Sequence, residues 1–281
     1  MTDSSDCPPK SNNAWSLGSY NEIALFFLPV SAHLVRLCDI SSEDHILDVA
    51  CGIGNTAITA ARITGAKVTG IDFTPKMLTQ AKIEAELAGT VDIEWKDGNV
   101  ENIPFGDDSF DVVLSSFGHM FAPHPEVAIK EMLRVTKSGG RIAFATWPPE
   151  HANGKLFDVM TKHVPISSAT IANIASANTL SPPSSPMQWG TPEVIHKRLG
   201  VDSNVKNIHF ERGVINKPVL SPNHYWKMAS TKGGTLIQAI QTIKDPQKVE
   251  YLKKDILQAI APYFHDNVLK LDYLVTLATK A

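Results

Sequence analysis

Along the first half of the chain, short unbroken apolar runs alternate with stretches in which apolar residues recur every three or four positions. That alternation marks strands and helices taken in turn, and hence an α/β chain with a parallel sheet and helices on both faces. It predicts strands at 46–49, 67–72, 91–95, 110–115 and 141–146, with helices at 56–64, 77–88 and 126–136 and a turn at 137–140. Strand 110–115 is apolar nearly throughout, as a central parallel strand covered on both sides must be. Ahead of the first strand, Ile23, Phe26, Phe27, Val30, Leu34 and Leu37 fall at helical spacing, with Pro29 placed to divide the helix. Beyond residue 147 the periodicity is more diffuse. It predicts helices at 153–163, 192–199, 223–243 and 246–260, a small apolar run at 166–180, a loop at 181–186, and strands at 205–214 and 269–279, seven strands in all.

Composition narrows the class. A chain of 281 residues, 43% hydrophobic and 20% charged, suits one large α/β domain with elaborations. The polar stretch 1–13 is expected to be a disordered tail, followed by a single domain over 14–281. Its core is placed at 40–147, 191–220 and 246–281, and its cap elements at 14–39, 148–190 and 221–245. A net charge of −3 supplies no basic field of the kind nucleic-acid binding uses. Cys7, Cys38 and Cys51 lack metal-ligand spacing and follow no signal-peptide pattern, which fits reduced thiols in the cytoplasm and no metal. No apolar run approaches the roughly 20 residues that span a bilayer.

Candidate chemistry concentrates in residues 46–57, Ile-Leu-Asp-Val-Ala-Cys-Gly-Ile-Gly-Asn-Thr-Ala. A buried strand here runs through a turn permitted by Gly52 and Gly54 into a helix whose N-terminus faces a ligand. The spacing satisfies G-x-G-x-x-A, so an NAD(P)-binding oxidoreductase is formally allowed, with Asp72 at the end of the next strand holding a ribose. Asp48 shifts the balance. A carboxylate four residues before Gly52 receives an ammonium group and repels a pyrophosphate, and S-adenosylmethionine carries that ammonium and no phosphate. A role for Asp48 confined to ordering the loop through backbone hydrogen bonds stays open.

Four motifs in order then resemble those of class I S-adenosylmethionine-dependent methyltransferases: Asp48-Val-Ala-Cys-Gly52-Ile-Gly54-Asn55, Val68-Thr-Gly-Ile-Asp72-Phe-Thr-Pro-Lys-Met77, Gly98-Asn-Val-Glu-Asn-Ile-Pro-Phe105 and Ser109-Phe-Asp-Val-Val113. The resemblance covers roughly 15–147 and is nearest to the ubiquinone/menaquinone-biosynthesis type and its small-molecule relatives. It implies a Rossmann-like seven-stranded, mostly parallel sheet with an antiparallel last strand, formed by 269–279, and helical elements over the pocket. By this likeness Asp48, Ala50, Gly52, Gly54 and Asn55 hold the methionine end of the cofactor and Asp72 its ribose. Phe73, Met77, Asn99 and Val100 surround the adenine, and Ser115 lies at the sheet edge beside the cofactor. The family's usual Gly-Asp-Ala-Glu reads Gly98-Asn99-Val100-Glu101 here, so the acceptor for the adenine amine loses its charge, and Asp97 is placed to share the role.

The reacting methyl would sit beyond the fourth strand, near Ser116, Phe117 and His119, with His119 a candidate general base. Trp15 and Tyr20 are expected to form a lid and Trp147 a pocket rim. The Asn/Asp/Ser-Pro-Pro-aromatic motif of enzymes acting on exocyclic base amines is missing at this point. Phe157, Met160, Met187, Trp189, Tyr225, Trp226 and Met228 are available to line an apolar cavity for an aromatic or isoprenoid acceptor, with packing in the core the expected role of most of them. The resulting expectation is methyl transfer from S-adenosylmethionine, leaving S-adenosylhomocysteine, to C or O of a small quinol-, phenol- or isoprenoid-like molecule, by a monomer or homodimer. A protein that binds this cofactor without catalysis is the other alternative.

Overall fold

A computed structural model describes residues 14–90, 92–164, 185–200 and 205–281. The expected tail 1–13 with Cys7, the apolar run 166–180 and the loop up to residue 184 lie outside them.

The central strands are apolar because both faces are covered. In β1 (His45–Val49), Ile46, Leu47 and Val49 are fully buried. It pairs in parallel with β2 (Lys67–Asp72) on one side and β4 (Phe110–Ser116) on the other. The full order is β3-β2-β1-β4-β5-β8-β6, with β3 at Glu94–Asp97, β5 at Thr136–Thr146, β6 at Val205–Pro218 and β8 at Val268–Lys280. The last strand is antiparallel to both of its neighbours, as the family likeness implied. Helices α2 (Leu28–Leu37), α3 (Asn55–Thr64), α4 (Pro75–Leu87) and α5 (Pro125–Val135) complete the parallel half, preceded by the short α1 (Tyr20–Ala24). Pro29 does divide the first helical region, standing in the first turn of α2 after a 3-10 turn at Leu25–Phe27.

The later helices are α6 (Ala152–His163), α7 (Pro192–Gly200), α8 (Pro222–Lys232), α9 (Gly234–Ile243) and α10 (Pro246–Ile260). The expected helix at 223–243 is thus two helices, broken at Gly233, whose extended backbone (φ −86°, ψ 106°) leaves the helical range.

Three further elements differ from expectation. The turn at 137–140 is an irregularity inside β5, which pairs with β4 on both sides of it, Phe110 opposite Thr136 and Val112 opposite Arg141. Gly139, at φ +77°, takes the bend that strand geometry forbids other residues. An eighth, two-residue strand, β7 (Phe264–His265), turns back onto β8 through Asp266 and Asn267, both left-handed, as a two-residue hairpin loop demands. β3 begins later than expected, at Glu94, and carries Trp95 against the glycines of its neighbours. A Cβ on Gly54 would lie 2.5 Å from that indole and one on Gly70 2.6 Å, so the ring fills the space two glycines leave open.

No described helix is long and apolar enough to cross a membrane.

Candidate active site

At the carboxyl edge of β1, the chain turns through Ala50 (φ +53°), Gly52 (φ +56°) and Gly54 (φ +86°) before α3 begins. A methyl-bearing residue in the left-handed region stores strain, and here it borders a cavity. The end of β4 does the same: Phe117 sits at φ +62°, and a Cβ on the next residue, Gly118, would meet that of Ala50 at 2.5 Å. The two loops therefore approach as closely as their side chains allow.

Between them opens a first cavity of about 130 Å³. Its walls include Asp48, Ala50, Gly52, Asn55, Asp72, Phe73, Met77, Asn99, Val100, Ser116 and Phe117, with Trp15 and Tyr20 above. Thirteen of the residues singled out from sequence are thereby brought together. The cavity also takes in Cys51, Ile53, Phe27, Phe121 and Pro123, which carried no chemical signal in the sequence.

Two carboxylates dominate its electrostatics. Asp48 is 1% exposed; its Oδ2 accepts the Ala57 N–H at 2.9 Å, and its Oδ1 is buried without a partner among the described residues. Burial pushes its pKa up to about 8, the Ala57 N–H pulls against this and the Asp72 charge adds to it. Asp72 accepts the N–H groups of Gly52 (2.9 Å) and Thr74 (2.8 Å), yet burial still holds its carboxyl above the ordinary range. Tyr20 lies beside this loop, its phenol pushed up to about 12 by burial and by Asp72. Two buried carboxyl groups held above their ordinary pKa favour an entering cation, which would restore their charge, over a pyrophosphate, which would oppose it.

Other expected residues fall elsewhere. Gly54 shapes the loop from behind, against Trp95. Ser115 is a fully buried staple whose Oγ donates to the Val49 carbonyl at 2.7 Å and accepts the His119 N–H at 3.3 Å. Asn99 Oδ1, the intended adenine acceptor, accepts the Glu101 N–H at 3.0 Å, and Asp97 is exposed and off the lining.

His119 requires correction. Its ring is fully buried outside the cavity, packed on Phe144 (4.7 Å) and Trp189 (4.8 Å), and among the described residues neither nitrogen has a partner. Burial, with the nearby Arg198 guanidinium, lowers its pKa to about 3. Among the described residues, this buried, neutral imidazole lines neither of the two cavities, so it is not placed to serve as their general base. Trp189, supplied by the 3-10 turn Pro186–Gly190, closes over it, and that contact has no local sequence signal.

Trp147 is a buried wall, stacked on Phe117 with centroids 3.7 Å apart and planes 4° from parallel. Behind this pair lies a second cavity, about 200 Å³, lined by Phe157, Met160, Met187 and Tyr225 as anticipated, together with Leu156, Leu236, Ile256 and one charged residue, Lys217. Trp189 is not on this lining, and neither are Trp226 and Met228. Trp15, Tyr20, Phe27, Phe117 and Phe121 line both cavities, so the two compartments share an aromatic partition. Among the described residues, no group of three or more His, Cys, Asp or Glu side chains is arranged to hold a metal ion.

Comparison with known proteins agrees with this geometry. Residues 47–144 match the model of the methyltransferase domain family. An uncharacterized protein of Mycobacterium tuberculosis is 33% identical over 95% of this chain and 92% of its own length. A demethylmenaquinone methyltransferase of Bacillus cereus is 36% identical over 110 residues, 38% of this chain and 46% of that protein. The crystal structure of the Bacillus subtilis YcgJ protein superposes with a TM-score of 0.57 at 17% identity, over 90% of this chain and 98% of that one. With the domain match, the sheet order and the two-carboxylate cavity in agreement, the chain belongs to the class I S-adenosylmethionine-dependent methyltransferases.

Proposed function

We propose that this protein methylates carbon or oxygen of a small apolar or aromatic molecule bound in the second cavity. The observation that carries the reading is the pair of compartments on either side of one aromatic partition, the first bounded by carboxylates and the second by apolar side chains. When bound, S-adenosylmethionine supplies a methyl group on a positively charged sulfur, which departs with the bonding electrons as the neutral thioether of S-adenosylhomocysteine.

The chain's own residues hold and exclude. Asp48, through its unpartnered Oδ1, would hold the ammonium of the methionine end, and Asp72, which accepts the Gly52 N–H, would hold the ribose hydroxyls. Phe73 and Met77 flank the base, and Asn99 and Val100 close its edge. Phe117, Phe27 and Trp147 fix an acceptor ring by edge and face contacts, their own ring centroids lying 3.7–5.7 Å apart. Trp15 and Tyr20 cover the junction and keep water from it. With His119 sealed away, acceleration comes from placement in line and from dehydration.

Calorimetric titration with S-adenosylhomocysteine and, separately, with NAD and NADP tests the reading. Micromolar binding of the first alone supports it. Binding of a nicotinamide nucleotide alone sinks it.

A further inference from the structure

Among the described residues, Lys217 is the one charged side chain on the second cavity's lining. It stands on β6 between Ile215 and Val219, the residues that share its inward face, and is 4% exposed. Among the described residues its ammonium makes no hydrogen bond or ion pair. Its neighbours are the rings of Phe26, 4.7 Å from Nζ to the centroid, and Tyr225, at 5.4 Å. The Tyr225 phenol is itself buried and stays neutral, its pKa pushed up to about 12. The α10 and β8 side chains on the same lining, Ile256 and Leu271, are apolar.

Burying a lysine in this way is unfavourable. Two rings offset only part of the hydration lost when an unpaired ion leaves water. The imbalance is visible in the amine, whose pKa burial alone lowers to about 8. Packing does not require the charge, since a methionine fills the same volume, and no element of the described fold is tied down by it. A cation kept dry, unpaired and inside a cavity is complementary to an anion that enters.

We infer that the second cavity takes an apolar molecule bearing one anionic oxygen, a carboxylate or a phenolate, and that Lys217 is the residue that recognises it. The inference rests on reading that cavity as the acceptor side. It narrows the acceptor from any apolar molecule to an acid, and it places the acidic group at β6.

Matched probes test it: 1-naphthoate against 1-naphthamide, decanoate against decanamide, and 4-nitrophenolate against nitrobenzene, titrated calorimetrically into the full chain at pH 7.5. At least one acid is expected to bind about tenfold more tightly than its neutral partner. Lys217→Met and Lys217→Gln should erase that preference by weakening the acid alone, and Lys217→Arg should restore most of it. Because the free amine is partly deprotonated, binding of the acid at pH 8 should also take up a fraction of a proton, read from buffers of different ionisation enthalpy. That uptake should vanish in Lys217→Arg, whose guanidinium stays charged. The inference is overturned if no acid outbinds its neutral partner, or if the preference survives in the methionine and glutamine variants. S-adenosylhomocysteine affinity, measured alongside, separates the two readings. Its absence in the wild type removes the methyl-transfer reading and leaves the acid preference standing, whereas its presence without any acid preference does the reverse.

Discussion

Replacing Asp48 by asparagine should make the cofactor-free protein more stable and its cofactor binding worse. The carboxyl has an ordinary pKa of 3.8 and a folded one of about 8. A group raised in this way keeps its full contribution below the unfolded value and loses it as pH rises toward the folded value. At about 1.4 kcal/mol per pH unit, the wild type carries a burden near 4 kcal/mol at pH 7, a ceiling because local relaxation and water entry reduce it. Asparagine retains an oxygen for the Ala57 N–H and puts its NH₂ where Oδ1 already lacks a partner, so little else changes. A gain of roughly half the ceiling, about 2 kcal/mol, corresponds to a rise of roughly 5 °C in Tm for a chain of this size. The gain should be nearly absent at pH 4, grow through pH 6 and 7, and level off above pH 8. Thermal and urea unfolding at these pH values, with and without S-adenosylhomocysteine, provide the test. In the wild type, ligand at a hundred times its Kd adds about 2.7 kcal/mol; in the variant most of that increment should disappear. A variant no more stable than wild type at pH 7, with a parallel pH profile, refutes the account of Asp48 as an unspent carboxylate.

Two further substitutions probe the surroundings. Gly54→Ala introduces a Cβ 2.5 Å from the Trp95 ring at a φ of +86°, so it should cost about 2–3 kcal/mol in urea unfolding. His119→Phe keeps a ring between Phe144 and Trp189 and should leave S-adenosylhomocysteine affinity and turnover unchanged; a large fall in turnover alone would return a chemical role to His119. Its folded pKa near 3 lies below the ordinary 6.5, so the wild type loses stability as pH falls from 6.5 toward 3, roughly 2–3 kcal/mol by pH 4.5. The phenylalanine variant should lack that slope.

The parallel half of the fold is legible in sequence because its signals are local. β1, β2 and β4 are short apolar runs, α3 starts and ends at left-handed glycines, and the cofactor loop needs backbone freedom that only a few residue types provide. What was not legible depends on distant partners. His119 looks like a base beside the reacting edge, and only Trp189, brought across by the 3-10 turn after residue 185, seals it. Trp95 reads as one apolar residue of a strand, while the space its ring fills is left by glycines in β2 and before α3. Lys217 did leave a trace: Ile215 and Val219 flank it at strand spacing, so a charge sits on an apolar stripe. The expected strand ends at residue 214, four residues before β6 does, and so leaves Lys217 outside it.

The aromatic partition has a kinetic corollary. Trp15 and Tyr20 border both compartments, and the segment bearing them is latched to elements beside each: Glu22 pairs with Lys232, Lys76 donates to the Ser16 carbonyl at 2.8 Å, and Gly18 and Gly234 allow main chain to touch main chain. On the proposed assignment of the two cavities to cofactor and acceptor, one displacement of this segment would open both at once, so methylated product and spent cofactor would leave by a shared route.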